Sequence, residues 1–291
     1  MMSLSTLTQA SPLVFVLFAA ILGLVIGSFL NVVIHRTPIV LMRSWQRDCR
    51  DLAGDAESVS AHEKYNLVTP RSRCPHCGHG ITALENIPVI SYLWLRGKCS
   101  ACRKPISPRY PFVELLSAIL AAVTAWHFGF NAAGIAAIVL TWTLIALAFI
   151  DIDHQLLPDV IVLPFLWLGL LLNLFSVFTA LPNAVIGAVA GYLSLWIVYH
   201  LFKLITGKEG MGYGDFKLFA LFGAWLGWQS LPLIILLASF IGAAIGICLI
   251  VFQGRDRAKP LPFGPYLAVA GWVAMLWGDE IMRQYLQMAR F

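Results

Sequence analysis

The sequence predicts an all-α polytopic membrane protein, with about eight transmembrane helices and a cytoplasmic zinc-ribbon-like loop domain between the first two. Three observations carry that prediction. Of 291 residues, 59% are hydrophobic and only 12% charged, and the mean hydropathy is +0.79, a composition that points to the bilayer as solvent. Apolar runs approaching the roughly 20 residues that a membrane helix needs recur along the chain. Most of the polar residues, and five of the six cysteines, fall in one segment, 35–111. The chain is therefore read as a first transmembrane helix (1–34), a cytoplasmic loop domain (35–111) and a transmembrane domain (112–291).

Spans are expected near 13–34, 112–128, 132–150, 160–181, 184–202, 216–229, 231–252 and 264–278. The first follows a head without Lys or Arg and runs straight into the large loop, so it lacks the basic start and small-residue cleavage site of a signal peptide. It reads as a retained helix. Orientation follows from the basic residues, which are enriched in short cytoplasmic loops. With eight spans, the segments 35–111, 151–159, 203–215 and 253–263 share one side and hold 17 of the 20 Lys and Arg residues. That side is expected to be cytoplasmic, with both termini outward. The net charge of +5 is then a topology signal and calls for no nucleic-acid partner. Within the loop, "DLAGDAESVSAHEKYN" is expected to be irregular. Further on, "GAVAGY", "GAWLGW" and "GAAIGI" place small residues at spacings that let membrane helices approach closely.

The loop also contains "CPHCGHG" and "GKCSACRKP": Cys74 and Cys77 form one C-x-x-C pair, Cys99 and Cys102 another, separated by 21 residues. Each pair brings two thiolates to one side of a tetrahedral metal, so the set reads as a structural zinc site, although the gap is slightly wider than usual. A disulfide framework would be out of place in a reducing compartment. His76 and His79 are expected to be ordinary loop histidines, since four thiolates already close the site. Cys49 and Cys248 have no sequence partner; Cys248 is expected in the core of a span.

A closed metal site names no reaction, but the carboxylates say more. An ionisable side chain at membrane depth costs about 2.5–3.5 kcal/mol even on the lenient insertion scale, so it marks function by default. Glu114, the pair in "FIDIDHQLLPD" and Asp215 are the candidates. Asp151 ends the third span and Asp215 opens the sixth, so both belong to the cytoplasmic ends of helices, and packed helices could bring them together. Two close carboxylates cannot both ionise cheaply and share a proton, which makes an acid and a base from one residue type. That is the chemistry of an aspartic protease. Gly212 and Gly214 would permit positive φ and leave room for a substrate backbone. The plainer alternative is that Asp215 simply caps its helix, and "G-x-G-D" alone does not decide.

In combination, "GSFLNVVIHRTP" (27–38), the two C-x-x-C pairs, "SPRYPFVELL" (107–116), "DIDHQLLPD" (151–159) and "GMGYGDFKL" (210–218) resemble type IV prepilin peptidases in kind and order, over nearly the whole chain. The resemblance implies a bifunctional enzyme of the bacterial inner membrane. It would remove the leader of type IV prepilins and type II secretion pseudopilins after a glycine, on the cytoplasmic side. It would then N-methylate the new terminal residue with S-adenosylmethionine. The family's two catalytic aspartates fall on Asp151 and Asp215.

Asp153 lies two residues from Asp151, on the other side of a helix, and cannot face the same partner. It and Asp159 are expected to be solvated or to cap the turn beside Pro158, with Lys217 as a partner for either or for lipid. No glycine-rich nucleotide loop follows a predicted strand, so a Rossmann-type cofactor site has no support. Residues that bind S-adenosylmethionine are left unassigned; the resemblance points to the cysteine-containing region. Glu114 could hold a cationic group or pair with Arg109, while Asn31 and His35 are read as helix-packing residues. Two rivals stay open: a presenilin-like protease without methyltransferase activity, which leaves the cysteine loop unexplained, and a proton-coupled transporter, which would put its carboxylates near the bilayer midplane.

Overall fold

The computed structural model describes residues 12–53, 65–253 and 261–288. Most of the expected irregular stretch after Leu52, the chain's head and the basic residues of the 253–263 loop lie outside the described residues. The helices are α1 (Pro12–Ala53), the short α2 (Ile90–Trp94), α3 (Arg109–Phe128), α4 (Ala132–His154), α5 (Asp159–Asn173), α6 (Leu181–Thr206), α7 (Tyr213–Leu226), α8 (Leu231–Gln253) and α9 (Gly264–Met288). No strand occurs among the described residues. The chain is nearly all helical, and each of the eight expected spans coincides with a helix. Among the described residues, five stretches are long and apolar enough to cross a membrane: α1, α3, α4, α6, and α8 together with the 3-10 turn before it. At 15 and 14 residues, α5 and α7 reach only about 22 Å, short of the roughly 30 Å hydrocarbon core.

The chain forms two compact units, divided after Phe130. In the first, α1 does not stop near residue 34 but continues to Ala53 through a buried Pro38. Its 42 residues span about 63 Å, twice the hydrocarbon core, so part of α1 stands clear of it. The chain returns along this helix: Arg36 Nη1 donates to the Asn66 carbonyl at 3.0 Å, and the Arg43 guanidinium lies 4.4 Å from the Tyr65 ring centre. Among the described residues, the charge of buried Arg36 is met by carbonyl oxygens and an aromatic face. Packing of α1 on α3 depends on absent side chains. A Cβ on Gly23 would come within 2.7 Å of Ala118 Cα, and one on Gly27 within 2.6 Å of Glu114 Cα, the close approach that small residues permit between membrane helices. Asn31 ties the same pair by donating to the Tyr110 carbonyl at 3.2 Å.

The second unit is organised around α7, of whose 14 residues ten are buried. Against it packs α6, where a Cβ on Gly191 would meet the Phe219 carbonyl at 2.8 Å; Gly187, Gly191 and Gly223 serve packing, as expected, whereas Gly227 has a φ of 84° and ends α7. On the other flank, Trp225 donates its indole N–H to the Phe165 carbonyl of α5 at 2.7 Å. At the last residue of α5, fully buried Asn173 is completely satisfied. Its amide donates to the Ala224 and Trp225 carbonyls at 2.9 Å each and accepts from the Phe178 and Thr179 amides. One side chain thus satisfies both the last carbonyls of α7 and the amides of the loop that follows α5. Cys248 is exposed on α8, contrary to the expectation of a core position. In a chain whose solvent is lipid, an apolar side chain gains nothing special by turning inward.

Candidate active site

The third long span ends in a sharp corner. Helix α4 stops where Gln155 turns left-handed (φ 51°, ψ 44°), its amide closing on the Asp151 carbonyl at 2.9 Å, the αL mode of helix termination. Leu157 and Pro158 then turn inward and are buried before α5 begins. Asp151 lies on the packed side of the last turn and is only 6% exposed, whereas Asp153, two residues on, is exposed. The helical geometry separates them as the sequence requires.

Asp215 is the third residue of α7 and 7% exposed. The cap position is held by Gly212 (φ −84°, ψ 148°), whose carbonyl accepts the Asp215 amide at 3.2 Å. The carboxylate is turned back toward the Gly212 amide, as the acid of a capping box is. Capping and chemistry are therefore not exclusive here. Of the two expectations for the glycines, positive φ is not met, and open space beside the carboxylate is found at Gly212 alone. Among the described residues, neither Gly212 nor Gly214 has positive φ. A Cβ on Gly214 would meet Leu157 Cβ at 2.7 Å, so that glycine makes room for Leu157. At Gly212 a Cβ would approach only Asp215 Oδ2, at 3.8 Å, which leaves this side of the carboxylate open.

A third helix completes the arrangement. The first residue of α9, Gly264, donates its backbone N–H to Asp151 Oδ2 at 3.0 Å in a buried hydrogen bond. An orphan donor at a helix start is thus spent on a carboxylate, where the helix dipole also favours negative charge. A Cβ at Gly264 would lie 2.7 Å from Asp151 Oδ2 and 3.3 Å from Leu157 Cδ1. Leu157 therefore links both glycines, and Asp151 and Asp215 lie within electrostatic reach of each other. Two buried carboxylates held at the ends of α4 and α7, with an amide fixing one oxygen of the first, have the parts of an acid–base pair. Sequence reasoning missed Gly264 and Leu157; the only cue was a glycine before a proline, opening a helix in "PLPFGPYL".

Of the remaining carboxylates, Asp159 is exposed and receives Lys217 Nζ on both oxygens at 2.7 Å, which resolves the choice of partner for Lys217. Glu114 is buried and accepts the Val89 amide at 2.8 Å. It holds the loop against α3, with Val89 at an unusual φ of 59°.

In the first unit, the Sγ atoms of Cys74, Cys77, Cys99 and Cys102 all lie within 4.8 Å of one another. The Cys74–Cys102 separation is 3.8 Å and the Cys77–Cys99 separation 4.0 Å. Zinc–sulfur bonds of about 2.3 Å in a tetrahedron give edges of about 3.8 Å, so the donor set fits one zinc ion and is far too open for disulfides. The two C-x-x-C turns are built alike. Isolated bridges pair Arg73 with Gly80 and Lys98 with Pro105. Backbone amides of His76 and Cys77 point at Cys74 and hold its thiol down at about 6. Those of Cys102 and Ala101 likewise lower Cys99. Cys77 accepts from the His79 amide, yet desolvation and the neighbouring thiols push it up to about 11. Such crowded thiolates need a cation between them. His79 turns instead to Glu85, 3.5 Å away. Hydrogen bonds from the Ser100 hydroxyl, and from the Thr82 amide and hydroxyl, hold the Glu85 carboxyl down at about 2.

Residues 21–128 match the bacterial peptidase A24 N-terminal domain and residues 138–247 the type IV leader peptidase family. Three relatives are each named prepilin leader peptidase/N-methyltransferase. The one from Stutzerimonas stutzeri is 58% identical over 97% of both chains, that from Pseudomonas aeruginosa 57% over 96% of both, and that from Pseudomonas putida 55% over the full length of both. No solved structure matches the chain. With its motifs in family order and its likeness to these relatives extending from end to end, this chain belongs to the type IV leader peptidase family.

Proposed function

We propose that this chain is a bifunctional enzyme of the bacterial inner membrane. It cleaves the leader of type IV prepilins and type II secretion pseudopilins after a glycine, and N-methylates the new terminal residue with S-adenosylmethionine as co-substrate. The name shared by relatives more than half identical over nearly the whole chain supports both activities. One observation carries the chemistry: two buried carboxylates stand together at helix ends, one of them oriented by the Gly264 amide.

In this reading Asp151 and Asp215 hold one proton between them. The ionised member takes a proton from water as its oxygen attacks the scissile carbonyl carbon. The protonated member gives its proton to the carbonyl oxygen, and a neutral tetrahedral species forms. On collapse the carbon–nitrogen bond breaks, the departing nitrogen takes the proton of the protonated member, and the ionised member accepts the proton of a diol hydroxyl as the new carboxyl group forms, so that the one-proton state returns. The Gly264 amide engages one oxygen of Asp151 and leaves the other for water.

Cys74, Cys77, Cys99 and Cys102 bind a structural zinc ion that ties the loop's two turns together and takes no part in either reaction. The working division is a first membrane helix to residue 34, a loop domain over 35–111, and a peptidase domain over 112–291. The dyad and the zinc loop face the cytoplasm, where the basic segments lie. Substrates reach the site from the bilayer, and no nucleic acid takes part. A homo-oligomer is compatible with this reading. The test is mass analysis of a synthetic prepilin, with Gly before Phe, after incubation with the purified protein. Cleavage alone without S-adenosylmethionine, and a product heavier by one methyl group with it, is expected. An unmethylated product under both conditions would remove the second activity.

A further inference from the structure

The cysteine loop presents an apolar face in the wrong direction for a soluble domain. Leu84, Ile90, Leu93 and Trp94 are 68%, 61%, 68% and 78% exposed, and Ile87 joins them. On α2, positions 90, 93 and 94 share one side at i, i+3 and i+4 spacing. Tyr92 turns the other way, its ring and hydroxyl lying against Gly97. Five residues of short helix thus carry their apolar side outward.

The depth of this face follows from its hydrogen bonds. Val89, immediately before α2, donates its amide to Glu114 Oε2 at 2.8 Å. Glu114 is the sixth residue of α3, a helix of 20 residues that has no length to spare for crossing a bilayer. Five steps of about 1.5 Å put it roughly 7 Å inside the start of that helix. Ser28, well within the apolar part of α1, lies 3.4 Å from Asn86 of the same loop segment. The stretch 86–94 is therefore moored below the level at which α3 begins. Basic side chains follow it at once: Arg96, Lys98, Arg103 and Lys104 are all exposed.

We propose that α2 and its flanks, Leu84 to Trp94, lie in the bilayer interface as a monotopic anchor. Their apolar side enters the acyl boundary, and the four basic residues meet anionic headgroups. Depth, exposed apolar area, an outward Trp and neighbouring cations are the features of a surface-lying membrane segment. The occupant of the patch is lipid. Its consequence is that the cysteine loop is pinned to the membrane plane by its own chain, independently of any substrate.

The test places a fluorescent unnatural amino acid at position 94, and separately at 93, in the full-length protein reconstituted in vesicles of phosphatidylcholine and phosphatidylglycerol. A nitroxide carried high on the acyl chain should extinguish most of the emission, while aqueous iodide should have little effect. Removing phosphatidylglycerol should weaken the lipid quenching. Strong iodide quenching with little from the lipid nitroxide, at both positions, would overturn the proposal. Protection from iodide that appears only when a prepilin peptide is added would overturn it equally, by assigning the patch to substrate. Because neither position is one of the proposed catalytic aspartates or zinc-binding cysteines, the result stands or falls apart from the proposed catalysis.

Discussion

The cysteine loop and the helical unit around α7 are held together by opposite means. Between residues 65 and 108 the chain buries little: Cys99 is its one buried hydrophobic among the described residues. Its order comes from two backbone turns converging on four sulfur atoms. Around α7 the order comes from burial, with Phe216, Phe222 and Trp225 all fully enclosed and glycines letting backbones touch. In the proposed reading the first arrangement depends on a metal, the second on shape. The difference teaches where a single substitution should be felt.

The largest effect is expected from Cys74→Ser with Cys77→Ser, or from chelation. Structural zinc contributes about 10–16 kcal/mol in small metal-folded domains, so the loop should lose its metal and its protease resistance together. The α7 unit should keep its helicity. Unchanged zinc content with unchanged resistance would break the comparison. Next comes Gly264→Ala, whose new Cβ would stand 2.7 Å from Asp151 Oδ2. Displacement by about 1 Å in such a site costs on the order of 100-fold, so kcat for cleavage should fall that far while KM for the prepilin and helix content hardly change. A rise in KM alone would mean that Gly264 contacts substrate.

Asn173→Ala should act on stability. It leaves two amides and two carbonyls of the α5–α7 junction without their partner, each worth about 1–3 kcal/mol when buried, and the melting temperature of the helical unit should drop clearly. Smallest is Lys217→Ala. The Asp159–Lys217 pair is close but half open to its surroundings, and exposed pairs contribute under about 1 kcal/mol. Activity and stability should stay near the parent values; a large loss would show that the ion pair positions Asp215.

What the sequence made legible, and what it hid, follows the same division. The four cysteines were visible because metal geometry imposes spacing on the chain itself. Asp151 and Asp215 stood out because a charge at the end of an oily run has few innocent explanations. Gly264 did not, since its contact with Asp151 joins positions 113 apart and a glycine's absent side chain leaves no chemical trace. That α1 runs on past its apolar span to Ala53 left no mark in the apolar pattern, since Pro38 ordinarily interrupts a helix, yet here Arg36, Asn66 and Tyr65 brace the chain around it. Gly212 and Gly214 were read as permitting positive φ and leaving room for a substrate backbone, whereas at Gly214 the room is taken by Leu157. Periodicity reports which side chains face inward; it does not report which backbone atoms meet.

The central claim is that Asp151 and Asp215 act as a pair. The most direct measurement is cleavage of a synthetic prepilin in detergent by Asp151→Asn, Asp215→Asn and Asp153→Asn variants, beside the parent protein. Cleavage should vanish in the first two, with helix content intact, and persist in the third, whose side chain points away from the site. If Asp215→Asn still cuts, the carboxylate behind Gly212 is a helix cap and nothing more, and the two-aspartate mechanism is wrong.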